Sequence, residues 1–105
     1  MKTIVVKTKE ETRVIRVKLL LAVEVNDYVC RFHIKDEPSF SCTDSLSKIQ
    51  TELPDYFFRI SRFCIINVQY VQSIDSKRRE VKLAGNLIFR FSVRNAHELK
   101  RLFSQ

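Results

Sequence analysis

The chain has 105 residues and is 45% hydrophobic, which is enough apolar side chain for one buried core and too little length for a second, so residues 1–105 are read as a single domain. Nineteen Lys and Arg against twelve Asp and Glu leave a net charge of +7, an excess that favours an anionic partner such as nucleic acid or an acidic membrane surface. A lone glycine excludes a Gly-rich phosphate loop, three cysteines at unrelated spacings exclude a disulfide framework, and no apolar run approaches the roughly 20 residues of a membrane span.

The charge is unevenly spread. Residues 1–18 carry six basic and two acidic side chains, residues 19–62 five and seven, and residues 75–105 eight and three, so both ends are positive and the middle slightly negative. Met1 is followed by "KTIVVKTKEE", charged and alternating, which is not a signal peptide. With the odd cysteine count, this reads as a soluble protein of a reducing, cytoplasmic compartment.

In chain order, "TIVVKTK" and "TRVIRVK" are β-branched runs separated by Glu10 and Glu11, the composition of a hairpin. "LLLAVEV" and "YVCRFHIK" flank Asn26-Asp27, residues that tolerate a tight turn, and give a second hairpin; "SFSC" after Pro38 adds a short strand. From Thr43 the period changes. Thr43 or Asp44 can cap, Leu46, Ile49 and Leu53 share one helical face and Pro54 stops the run, so a helix is expected over 44–53. "YFFRI", "CIINVQYVQSI", "REVKL" and "LIFRFSV" are again β-rich, with turns at Lys77-Arg78 and Gly85-Asn86. "NAHELKRLF" closes the chain as a helix whose inward face is Ala96, Leu99, Leu102 and Phe103. The expected fold is therefore mainly β, antiparallel, with two short helices outside the sheets.

Catalytic and metal-binding constellations are sparse. Cys30 and His33 have the spacing C-x-x-H, but residues an odd number apart on a strand point to opposite faces, and no second pair completes four ligands. Only His33 and His97 could serve a nucleophile as base; Cys64 reads as a small core residue and His97 as solvated. The acids are scattered singly. No enzyme activity, metal or cofactor is expected.

The basic residues divide by position. Arg13, Arg16 and Lys18 alternate with Val14, Ile15 and Val17, for which a solvated strand face suffices, and Lys77, Arg78 and Arg79 form a turn tip, where charge is common without function. Arg62 in "RISRF" and Arg94 in "SVRNA" differ, because each stands at a strand end beside small polar residues where folding alone would sooner select Gly, Asn or Asp. Side chains so presented can enter a DNA groove, where an arginine fork pairs with guanine. Solvated turns account for the same pattern equally well.

The segment "FFRISRFCIINVQYVQSID" resembles the F-x-R-I-H-R-S-Y-I-V-N motif of the LytTR DNA-binding domain of bacterial response regulators. "AVEVNDYVCRFHI" is similar to that family's Y-I-E-A-x-x-N-Y-V segment, and "FSVRNAHELKRLF" to its S-[RV]-R-[RN] turn and closing helix; the likeness runs from about Lys2 to the end. It implies an elongated fold of about ten strands in small stacked antiparallel sheets with two short flanking helices. It also implies a transcriptional regulator domain that reads double-stranded DNA at tandem imperfect direct repeats, as two copies, with loops rather than a recognition helix in the major grooves. Three base-reading positions of the family fall on Cys30, Arg62 and Arg94, Cys30 standing where a histidine or another polar residue is common. Arg31, Ser61, Ser92 and Asn95 fall where the family holds phosphates, Ser61 in place of a common histidine. Regulators of this kind usually carry an upstream phosphorylated receiver domain, which these residues do not include; the chain is expected to be the output portion of such a regulator, with a stand-alone regulator as the alternative.

Two other readings of the residues stand beside this one. An exposed edge strand could pair with a partner chain, the charge serving solubility. A single-stranded RNA binder is the third, with no obvious exposed aromatic platform to carry it.

Overall fold

The structure, a computed structural model, describes residues 2–104. β1 (Thr3–Lys7) and β2 (Thr12–Arg16) form a hairpin that is a sheet of its own. β3 (Leu20–Asn26), β4 (Val29–Ile34), β5 (Phe40–Thr43), β6 (Phe57–Ser61) and β7 (Cys64–Asn67) make a five-stranded antiparallel sheet in the order β5-β4-β3-β7-β6. A third sheet is the meander of β8 (Val71–Asp75), β9 (Glu80–Leu83) and β10 (Leu87–Arg90). Two α-helices, α1 (Leu46–Glu52) and α2 (Val93–Arg101), lie outside the sheets. The mainly β fold expected from the sequence is the fold observed, ten strands in three small sheets over an envelope of 42 × 29 × 24 Å. No helix among the described residues is long and apolar enough to cross a membrane.

The five-stranded sheet is the middle layer. Successive side chains on a strand face opposite ways, so Cys30, Phe32 and Ile34 of β4 join one core, with Ile65 of β7, Ile4, Val6 and Ile15 of the first hairpin and Leu46 and Ile49 of α1. The other face gives Ala22, Ile60, Cys64 and Ile66 to a second core with Val81, Leu83, Phe91 and Leu99 of the meander and α2. Strands buried on both sides cannot alternate polar and apolar residues. That is why "LLAV" in β3 and "CIIN" in β7 read as unbroken buried runs.

Two bulges adjust this pleat. In β3 the register against β4 slips between Leu20 and Ala22, and the extra residue lets Leu20 and Val23 enter the same core. In β6 the register against β7 slips between Arg59 and Ser61. Ile60 stays in the second core while Arg59 turns to the face of α1.

Three expectations are corrected. "CIINVQYVQSI" is not one strand: it breaks at a 3-10 turn, Val68–Tyr70, and its halves belong to different sheets. The break is set by Asn67, fully buried, whose Nδ2 donates to the Leu20 carbonyl at 3.0 Å while its Oδ1 accepts from the Gln69 amide at 2.9 Å. The first helix is capped by Ser45 rather than Thr43 or Asp44, the Ser45 Oγ accepting from the Lys48 amide. The last helix starts at Val93 behind a Ser92 cap, two residues earlier than its apolar spacing suggested. Its Leu102 and Phe103 are exposed, beyond the reach of the core that takes Leu99.

Asn67→Ala removes the side chain that satisfies a buried carbonyl and starts the crossing between sheets. Urea unfolding is expected to show a loss of about 1 to 3 kcal/mol.

Candidate nucleic-acid interface

Three segments distant in sequence converge: the β6–β7 turn, the β8–β9 turn with the end of β10, and the N-terminal turn of α2. They enclose an open groove of about 860 Å³ into which Arg59, Arg62, Arg79, Arg90 and Arg94 all present atoms, and no carboxylate lines it. Glu80 is the register partner of Arg90 across β9 and β10 but makes no ion pair with it among the described residues.

Main-chain hydrogen bonds lace these segments together. The Ser92 amide donates to the Ile60 carbonyl at 2.9 Å and the Phe91 amide to the Arg79 carbonyl at 2.9 Å, which ties β10 and the start of α2 to both turns. The Asn95 Nδ2 donates to the Arg59 carbonyl at 2.8 Å, and the Ser92 Oγ accepts from the Asn95 amide at 3.2 Å as helix cap. The β6–β7 turn is braced likewise, the Ser61 Oγ accepting from the Phe63 amide at 3.1 Å and the Phe63 carbonyl from the Val25 amide at 2.8 Å.

Arg59 makes this turn rigid, a role that sequence reasoning missed. Its Nη1 donates to the Ser47 Oγ at 3.2 Å and the Gln50 Oε1 at 3.3 Å, anchoring it on α1. Its Nε donates to the Ser61 carbonyl at 3.2 Å and its Nη2 to the Arg62 carbonyl at 2.9 Å, so one guanidinium grips the turn that bears Arg62. Only a planar fork of donors can satisfy four acceptors in this way. Nothing in a lone "FRIS" reveals the acceptors, which come from α1 and from the backbone of the turn.

The predicted site residues fall into three groups. Arg62 and Arg94 are exposed and stand in the groove, with no side-chain hydrogen bond or ion pair among the described residues. Ser61, Ser92 and Asn95 line the same groove, half-buried, and already bond within the protein as described. Arg31 lies elsewhere, exposed on β4 directly across from Glu24 and in a different concavity with Asp27.

Cys30 is a correction. It is 0% exposed in the first core and its thiol donates to the Asp44 carbonyl at 3.2 Å, so it has no surface to offer a base. The alternation of β4 turns it inward; the side chains exposed at the β3–β4 turn are those of Asn26, Asp27, Tyr28 and Val29, of which Tyr28 is 81% accessible and follows Asp27, whose φ is 57°. Burial first, then the Asp44 carboxylate, raises the Cys30 thiol above its ordinary value. Burial also pushes Cys42, its register partner on β5, up to about 11, and raises Cys64 further still. His33, on the opposite face of β4 from Cys30, sits 2.6 Å from the Glu24 carboxylate. Among the described residues no three His, Cys, Asp or Glu side chains form a metal-binding group.

Two further arginines emerge only in three dimensions. Arg90 was hidden in an apolar strand, and Arg79 read as part of a solvated turn tip. The backbone of Arg79 is left-handed, with φ 54°, a conformation that costs a bulky residue roughly 1–2 kcal/mol.

An arginine cluster without counter-charges among its lining residues is suited to phosphate oxygens and to the acceptor edge of guanine. The profile of the LytTr DNA-binding domain matches residues 10–104, so the chain belongs to that family. Its fold is that of a Bacillus cereus structure described as the LytTr DNA-binding domain of a methyl-accepting/DNA response regulator. The TM-score is 0.82 over 100% of this chain and 99% of that one, at 19% identity. No curated protein matches the chain.

Arg59→Lys keeps the charge and loses the fork. It is expected to lower stability by about 1 to 2 kcal/mol in urea unfolding. The Cys42 thiol contributes a second, pH-dependent prediction. Its folded value lies above its ordinary 9.0, so the neutral thiol of the native state stabilises fully below pH 9 and that contribution fades as pH rises towards 11. The stability difference between wild type and Cys42→Ala, followed by denaturation, should be constant to about pH 8 and shift against the wild type above 9.

Proposed function

We propose that this domain is a sequence-specific reader of double-stranded DNA, the output module of a bacterial response regulator acting in the cytoplasm, and that it has no catalytic activity. The observation that carries this reading is the groove in which five arginines converge with no carboxylate among its lining residues. The family membership and the regulator domain with the same fold support it.

In this reading Arg94 and Arg62 each direct a donor fork at guanine O6 and N7 in the major groove. Arg94 stands on the first turn of α2, and Arg62 on the turn held by Arg59. Arg79 and Arg90 meet the flanking backbone, where a cation fixes register without carrying sequence information. Ser61 and Asn95 retain donor capacity for phosphate oxygens beside their internal bonds; Ser92 acts mainly by capping the helix that presents Arg94. Arg31 and Tyr28, on and beside the β3–β4 turn, would meet the duplex at a separate point along its axis, Arg31 at a phosphate. Two copies on tandem imperfect repeats would then lie along one face of the DNA.

Selection from a random duplex pool, followed by fluorescence anisotropy at two salt concentrations, tests the reading. Repeated sites should emerge and affinity should fall steeply with salt, because each neutralised phosphate releases counterions. Arg94→Ala and Arg62→Ala should each cost about 1 to 3 kcal/mol and relax preference at one base pair. Arg79→Ala and Arg90→Ala should weaken all sequences alike and reduce the salt slope by about 1 each. Absence of enrichment together with salt-insensitive association would favour pairing of an edge strand with a protein partner instead.

A further inference from the structure

Within the arginine groove two apolar side chains stand in solvent. Phe63, at the tip of the β6–β7 turn, is 56% exposed, and Val93, the first residue of α2, is 68% exposed; both line the groove and neither belongs to a core. Scattered surface apolar residues are ordinary. These two share one concavity with five arginines, and both are fixed in place, Phe63 through both of its main-chain hydrogen bonds and Val93 by the adjoining Ser92 cap.

Phe63 is also paired with a side chain already assigned to a base. The Arg62 guanidinium carbon lies 5.1 Å from the centre of the Phe63 ring, within reach of a cation–π contact. Such a contact holds the arginine without occupying its N–H edges, which stay available for acceptors. Among the described residues the ring makes no aromatic pair and joins neither core. On the major-groove edge of a base pair, the apolar feature that matches it is the thymine C5-methyl group.

We propose that Phe63 and Val93 form a methyl-reading contact that selects thymine at base pairs adjoining those read by Arg62 and Arg94, with Phe63 also positioning Arg62. The proposal rests on the DNA-binding reading above and deepens it. Charge complementarity fixes the occupant: the surrounding arginines require an anionic partner, and a duplex supplies phosphates, guanine acceptors and thymine methyls within one groove.

Deoxyuridine lacks only the methyl group of thymidine and leaves the hydrogen-bonding edge unchanged. In the duplex selected by the wild-type protein, each thymine is replaced in turn by deoxyuridine and affinity is measured by anisotropy for wild type, Phe63→Ala, Phe63→Leu and Val93→Ala. The wild type should lose about four-fold at one or two positions, the effect of burying one methyl group. Phe63→Ala or Val93→Ala should abolish that difference at one of them. Phe63→Leu should keep the methyl preference but relax the base read by Arg62, because the apolar contact remains while the ring is gone. As both residues are exposed, the variants should retain the wild-type urea midpoint. Equal affinity for all thymine and deoxyuridine duplexes would overturn the proposal while leaving DNA binding intact, as would a Phe63→Ala variant weakened but still discriminating at every sensitive position. Failure of the wild type to bind any duplex would remove both readings together.

Discussion

Burial of β3 and β7 on both faces is the constraint on which the rest of this structure depends. One face of the middle sheet is covered by a hairpin and a two-turn helix and the other by a three-stranded meander and α2. The central strands then become continuous apolar runs, and the polar side chain left between them must be fully satisfied. Asn67 meets that requirement by joining the Leu20 carbonyl to the turn that carries the chain from one sheet to the next.

The groove follows from how these layers end. β6 is an edge strand of the middle sheet, and its bulge sends Arg59 towards α1 while Ile60 keeps the strand seated in the second core. The Ile60 and Arg59 carbonyls then receive the Ser92 amide and the Asn95 side chain, so the helix bearing Arg94 is bolted to the strand that leads into Arg62. Side chains on turns are held precisely only when their support is rigid. Here the support is a sheet edge, a helix cap and a four-acceptor guanidinium.

Gathering five arginines without a carboxylate among them opposes folding through mutual repulsion, and a left-handed Arg79 adds backbone strain. Both features work against the isolated domain; the repulsion is the one that a polyanion's charge would relieve. Ser61, Ser92 and Asn95, which line the groove, also hold its own backbone through internal hydrogen bonds.

Much of the fold was legible because it is local. The β-branched runs, the polar Asn26-Asp27 pair beside a turn that falls on Asp27-Tyr28, the Leu46 and Ile49 spacing and the Gly85-Asn86 turn report strands, turns and a helix within a few residues of themselves, and the "RISRF" and "SVRN" motifs located two arginines that do share a groove. Apart from the two helix caps, what failed depends on a partner remote in sequence. The direction of Cys30 was set by which face of β4 meets α1 and the first hairpin, the break at Asn67 by a carbonyl 47 residues away, and the role of Arg59 by acceptors on another element. Arg79 and Arg90 looked like a turn tip and a strand residue until the meander was packed against the middle sheet. Local chemistry in the sequence determined which segments are strands and where cationic turns lie; only tertiary packing decided which faces point inward and which arginines meet, because those outcomes are fixed by contacts between layers.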